Sequence, residues 1–206
     1  MARDGTKTRE RILDSAERLI LERGLAATSI DAVLAAASTS KGAFFHHFPS
    51  KNHLARALVE RYAANDVAYL EEFMACVEAQ TDDPAEQVVA FIGLFEAAAD
   101  EIVAEQPSCL YVSYIFDKQL FADGTNDVIV DAVVAWRERL VQKLRAAAES
   151  HPPKSPVDLV ALADHIFATF EGAFVLTRTM GDSSLMRRQL ELVRRYVALL
   201  FDVPAD

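Results

Sequence analysis

The segment Thr39-Ser-Lys-Gly-Ala-Phe-Phe-His-His-Phe-Pro-Ser-Lys51 gathers groups suited to an anionic, hydrogen-bonding surface. Ser40 can cap a helix N-terminus and face a phosphate. Lys41 adds a cation, and His46 and His47 can contact phosphates or base edges. Gly42 and Ala43 leave room for a backbone to approach those edges. Phe44 and Phe48 are spaced to face inward and anchor the segment. The chemistry they point to is recognition of a nucleic-acid groove. No competing chemistry stands out in the chain. It shows no Ser/His/Asp or Cys/His arrangement, no paired carboxylates and no Gly-rich phosphate loop. The two cysteines, Cys76 and Cys109, have no metal spacing and cannot form a disulfide framework. Neither an enzyme, a cofactor nor a metal is expected.

The elements that must position these residues are short helices. A helix is predicted from Thr6 to Arg23, with Ile12, Leu13, Ala16, Leu19 and Ile20 on one face and Gly24 at its C-terminal cap. A second runs from Thr28 or Ser29, either able to cap it, to Ala37. Asp31 follows Thr28 at capping-box spacing, and Ile30, Val33, Leu34 and Ala37 share a face. After Ser38-Thr39-Ser40 a third covers Lys41 to Phe48 and ends at Pro49. Two short helices joined by a tight turn and packed on a first helix make the helix-turn-helix plan. Its second helix must be small and exposed enough to enter a major groove.

In this order the residues resemble the TetR-type regulators. The motif of that family is similar to Thr28-Ser29-Ile30 followed by Ser40-Lys41-Gly42-Ala43-Phe44-Phe45-His46-His47-Phe48-Pro49-Ser50-Lys51. The resemblance covers residues ~6–60. It implies that Thr28 contacts a phosphate while capping its helix, and that Thr39, Ser40, Lys41 and Ala43 lie near bases or flanking phosphates. It also implies that His46 sits at the DNA face and that Lys51 neutralises a phosphate. The chain departs from the family pattern at three positions. Ser38 replaces a turn glycine, so a left-handed backbone there would be strained. Phe45 stands where the family has Tyr and lacks the hydroxyl that bonds the DNA backbone. Leu34 stands where a small Ala is common.

Charge supports a division of labour. The net charge is −10, but residues 1–61 carry +3 and residues 62–206 carry −13. Three of the five histidines, His46, His47 and His53, lie in the basic part. No apolar run is expected to approach the ~18 residues of a membrane span. The charged start lacks the apolar core of a signal peptide. A cytoplasmic location is expected.

Beyond the motif, Ser50 is predicted to cap a long helix from Lys51 towards Ala79, with Leu54, Leu58, Tyr62 and Tyr69 on its buried side. Asp83-Pro84 opens a helix to about Glu105. A short helix follows Pro107, from Ser108 to about Gln119. After the turn Asp123-Gly124-Thr125-Asn126 another runs to Ala148. His151-Pro-Pro-Lys-Ser-Pro156 is the clearest linker. Two last helices, about Val157–Met180 and Ser184–Asp202, are split by Gly181-Asp182.

Most aromatics lie in this larger part. An apolar ligand cavity is expected from Phe91, Phe95, Cys109, Tyr111, Tyr114, Trp136, His165, Phe170, Glu171 and Phe174, with an aromatic or apolar small-molecule effector. Cys109, near a helix start, is a candidate reactive thiol. The final two helices carry more apolar residues than one stripe needs. A homodimer interface is expected from Phe167, Phe174, Leu190, Val193, Val197 and Leu200. Leu192, Tyr196 and Leu199 lie on another face, and Arg187, Arg188, Arg194 and Arg195 belong to the rim or solvent.

The fold class expected is all-α, with about nine helices. Residues 1–50 form the helix-turn-helix domain, and residues 51–206 the ligand-binding and dimerisation domain, joined by the helix from Lys51. The function expected is a dimeric repressor released from a palindromic double-stranded operator by its effector. The alternatives are an activator with the same DNA head, or a helical small-molecule-binding module.

Overall fold

The computed structural model describes residues 2–105, 109–114 and 124–205. Nine helices occur among them: α1 (Ala2–Arg23), α2 (Ile30–Ala36), α3 (Lys41–His47), α4 (Lys51–Gln80), α5 (Pro84–Glu105), α6 (Leu110–Tyr114), α7 (Thr125–Ser150), α8 (Leu159–Met180) and α9 (Ser184–Phe201). No strand occurs among the described residues. The expected start of the sixth helix at Ser108, its extension to Gln119, the break at Pro107 and the turn residue Asp123 lie outside the described residues.

The chain forms two compact units. The first takes α1 to α3, α4 as far as Asn65, residues 109–114 and residues 124–130. Its core is the apolar stripe of α1, where Ile12, Leu13, Ala16, Leu19 and Ile20 are all buried. The stripe follows from apolar residues recurring every three or four positions. Gly24 ends α1 in the left-handed region (φ +82°), its N–H bonded to the Ile20 carbonyl at 2.7 Å. Phe44, Phe48, Val33 and Leu58 are buried in this unit. Helix α6 packs on α1, with Tyr111 stacked edge-on against Tyr62 at 4.9 Å between centroids.

The second unit holds α4 from Asp66, α5, α7 from Asp131, α8 and α9. Its core includes Leu70, Met74, Val77, Phe91, Ile92, Trp136, Leu140, Leu144, Leu162, Ile166, Val197 and Phe201. Tyr69, expected on the buried side of the long helix, is 57% exposed. The buried positions of that stretch are instead Leu70, Met74 and Val77. The Oδ1 of Asp83 caps α5 by accepting from the N–H groups of Ala85 (2.8 Å) and Glu86 (3.2 Å). The Pro-rich link is tied down at both ends. The His151 ring meets Asp83 Oδ2 at 2.7 Å, and the Lys154 N–H donates to the Leu200 carbonyl at 2.8 Å.

By length and composition α8 is apolar enough to cross a membrane, with a mean hydropathy of 1.6 over its most apolar stretch. It is also a packed helix of this unit. Asp158 caps it, Leu162, Ala163, Ile166, Ala173, Phe174 and Thr177 are buried, and Gly181 closes it in the left-handed region.

Candidate nucleic-acid interface

The helix-turn-helix arises from local rules. Ser29 caps α2, its Oγ accepting from the Ala32 N–H at 3.2 Å, and Ser40 caps α3 in the same way through Ala43 at 3.2 Å. The turn between them is a Schellman closure. The Thr39 N–H reaches the Leu34 carbonyl (3.1 Å) and the Ser38 N–H the Ala35 carbonyl (3.3 Å). Ser38 takes the left-handed position at φ +46°. The strain expected where this chain lacks a turn glycine is therefore present.

Helix α3 divides cleanly. Phe44 and Phe48 are buried, with ring centroids 5.8 Å apart, and the Arg9 guanidinium lies 5.4 Å from the Phe48 ring centre. Ser40, Lys41, Gly42, Phe45 and His46 are exposed, while Thr39, Ala43 and His47 are half-buried. At about 100° per residue, positions 42 and 46 point furthest from the Phe44 and Phe48 anchors, and 41 and 45 lie on the side between. A Cβ added at Gly42 would meet nothing closer than the Ser40 hydroxyl at 4.0 Å. The protein interior therefore does not explain the absence of a side chain there.

Two expected phosphate contacts are corrected. Thr28 is only 2% exposed, and its hydroxyl donates to the carbonyls of Gly24 (2.9 Å) and Leu19 (3.3 Å). It locks the end of α1, and the cap of α2 passes to Ser29. Lys51 is half-buried and its ammonium donates to the Leu25 carbonyl at 2.7 Å, tying the start of α4 to the α1–α2 turn. Ser50 caps α4 as expected, its Oγ accepting from the His53 N–H at 3.3 Å.

Sequence reasoning missed the clamp that orients α1 on α4. The Arg61 guanidinium bonds Glu10 (3.2 Å), Asp14 (2.7 Å) and Glu17. Burial works against the Arg61 charge. The hydrogen bonds and charges of Glu17 and Asp14 outweigh it and push its pKa above the ordinary arginine value. The signal was available: Glu10, Asp14 and Glu17 recur at one-turn spacing and form an acidic stripe.

The expected effector residues fall in two places. Phe91, Phe95, Trp136, Phe170 and Phe174 join Phe73 and Phe167 in one aromatic cluster, neighbouring centroids lying between 4.8 and 6.0 Å apart. The Trp136 indole N–H donates to Asp66 at 3.0 Å. Glu171 is half-buried on α8, one turn from both Phe167 and Phe174. His165 is exposed and does not belong to the cluster. It lies two residues before Phe167, and so on another side of the helix. Cys109, Tyr111 and Tyr114 lie in the first unit instead, where the Tyr62 hydroxyl approaches the Cys109 sulfur at 3.9 Å. Tyr114 is fully buried, and its hydroxyl has no hydrogen-bond partner among the described residues. Burial, with the nearby Glu17 charge, pushes its pKa well up.

The expected dimer residues are corrected as well. Leu190, Val193, Val197 and Leu200 are buried within their own chain, where α9 packs on α5. Phe174 is buried too, and half-buried Phe167 stacks on Trp136 at 6.0 Å. Both stripes of α9 are apolar at three- and four-residue spacing, and the one with Leu190, Val193, Val197 and Leu200 fills the core. The face left outside carries Leu192 (65% exposed), Tyr196 (45%) and Leu199 (70%), and α8 exposes Val175, Leu176 and Met180. Arg194 does not reach solvent as a rim residue. It pairs with Glu96 at 2.6 Å, both side chains largely shielded.

Residues 12–58 match the family model described as bacterial regulatory proteins, tetR family. The chain is 23% identical over 204 residues to the transcriptional regulator AcuR of Cereibacter sphaeroides, covering 91% of this chain and 90% of that one. It is 30% identical over 84 residues to the HTH-type transcriptional repressor NemR of Escherichia coli, covering 41% of each. Among solved structures, the reduced form of E. coli NemR superposes with a TM-score of 0.72 at 20% identity, over 96% of this chain and 100% of that one. The regulator FadR of Bacillus subtilis, solved in complex with stearoyl-CoA, superposes with a TM-score of 0.66 at 15% identity, over 91% and 96%.

Proposed function

We propose that this chain is a TetR-type transcriptional regulator, a homodimeric repressor released from a palindromic operator when a small molecule binds its larger, acidic part. The observation that carries the DNA-binding half is the division of α3. Phe44 and Phe48 hold the helix on the core, and Lys41, Gly42, Phe45 and His46 face outward. Such a helix fits a major groove, and two of them on a two-fold axis fit two half-sites. Ser40, Lys41 and His46 are the residues read as contacting phosphates or base edges. Thr39 and Ala43 flank them. A cytoplasmic location fits this reading.

The dimer half is carried by α8 and α9. Their outward apolar residues Val175, Leu176, Met180, Leu192, Tyr196 and Leu199 suit a partner's identical face, giving an isologous contact.

The aromatic cluster around Phe95 and Trp136 supports an apolar or aromatic effector. That a fold neighbour is solved with stearoyl-CoA agrees with a ligand bearing an apolar part. Release requires the effector to favour the conformation that binds DNA poorly. Cys109 is 2% exposed against Tyr62, a setting that suits packing rather than a reactive thiolate. A Cys109→Ser variant is expected to keep its effector response.

The test is selection of duplexes from a random-sequence pool by the full-length protein. A two-fold symmetric sequence is expected, bound with an affinity that falls as salt rises. Failure to enrich any sequence would leave the small-molecule-binding module as the better reading.

A further inference from the structure

Phe45 is the one large apolar residue of α1 to α3 left exposed among the described residues, at 41%. Water would favour a polar residue at this position. Its ring also packs on a neighbour. It rests edge-on against the buried Phe44, with centroids 5.3 Å apart and planes at 83°. An apolar ring thus stands among the exposed residues Lys41, Gly42 and His46.

Helical side chains lean toward the helix N-terminus, so the Phe45 ring covers the surface one turn back, over Lys41 and Gly42. Gly42 has no Cβ to lift that surface, and the protein itself would tolerate one. The space beside the ring is therefore kept open toward whatever docks there. Lys41 and His46 flank the ring with donors, so the occupant is anionic at its edges and apolar at one point within.

Resting on the DNA-binding reading above, we propose that Phe45 is a specificity-determining residue whose ring packs on the 5-methyl group of an operator thymine. In the major groove that methyl is the one apolar group a base pair presents, and it distinguishes thymine from every other base. Without a hydroxyl, Phe45 cannot hydrogen-bond a phosphate, so its contribution is to sequence and not to general backbone affinity. Gly42 is the clearance that lets the ring reach the base edge.

The test uses the full-length protein and a duplex recovered from a random pool by the wild type. Each thymine is replaced in turn, symmetrically in both half-sites, by deoxyuridine, which lacks only the methyl group. One position is expected to lose about fourfold in affinity per half-site, the worth of one buried methyl group. The loss vanishes in Phe45→Ala and is partly kept in Phe45→Leu, a second apolar variant that covers the case where the alanine variant binds too weakly to measure. Phe45→Tyr, which adds the hydroxyl, gains affinity with an unchanged salt dependence and keeps the thymine preference. No thymine showing the effect in wild type overturns the proposal, and so does an equal loss in wild type and Phe45→Ala. If the folded protein enriches no duplex at all, the DNA-binding reading falls and takes this proposal with it. That result differs from a bound duplex indifferent to methyl groups.

Discussion

The outward face of α3 and the outward faces of α8 and α9 are both left over when a helix buries its other side, yet they are made of different residues. On α3 the exposed residues are a serine, a lysine, a glycine, a histidine and one phenylalanine. On α8 and α9 they include Val175, Leu176, Met180, Leu192, Tyr196 and Leu199. Water solvates the first face at little cost, so it can wait for a ligand that comes and goes. The second face costs roughly 25 cal/mol for each Å² of apolar surface kept wet, which favours a lasting partner. Exposure alone does not separate a transient recognition surface from a permanent one; the chemistry of the exposed atoms does.

The largest expected effect breaks the second face while sparing the first. Leu192→Glu combined with Leu199→Glu places charges where two apolar faces would meet. Sedimentation equilibrium is expected to report a monomer. Operator affinity should fall about a hundredfold or more, because two linked half-site contacts become one. An unchanged dimer would show that α8 and α9 do not form the interface.

Neighbouring phenylalanines sharpen the comparison within α3. Phe44→Ala removes a fully buried ring and is expected to lower stability by about 3–5 kcal/mol in denaturant titration. Phe45→Ala should stay within about 0.5 kcal/mol of wild type, since its ring is partly in water. Equal destabilisation would mean that the Phe45 ring is structural.

Two turns extend the contrast at smaller scale. The turn that presents α3 is strained at Ser38, so Ser38→Gly should stabilise the protein by about 0.5–1 kcal/mol. The turn that opens α5 is relaxed. Burial pushes the Asp83 carboxyl up, but the His151 ring and the N–H groups of Glu86 and Ala85 outweigh it and hold its pKa below the ordinary range. A carboxyl depressed in the folded state stabilises fully above its unfolded value of about 4. That contribution is lost as pH falls through the lower folded value. The stability difference between wild type and Asp83→Asn should therefore shrink as pH falls below about 4. A difference that grows toward acid would contradict this assignment.

The sequence made the head legible because its rules are local. Caps at Ser40, Ser50 and Asp83, the glycine at the end of α1 and the inward pair Phe44 and Phe48 each depend on residues within a few positions. The errors came where a distant partner decides. Thr28 has the type of a cap and phosphate ligand, yet the carbonyls of Leu19 and Gly24 claim its hydroxyl. On α9 two apolar stripes were visible, but which one faces the core depends on α5, seen only in three dimensions. Val193 and Leu192 therefore exchanged roles. His165 and Tyr69 failed for the same reason, since periodicity names a face without naming what lies against it.

The mass of the protein–DNA complex tests the outward face of α3 and the outward faces of α8 and α9 together. Full-length protein saturating its selected duplex is expected to give two chains per duplex on a two-fold symmetric sequence. One chain on an asymmetric sequence, or no complex with any selected duplex, would contradict it.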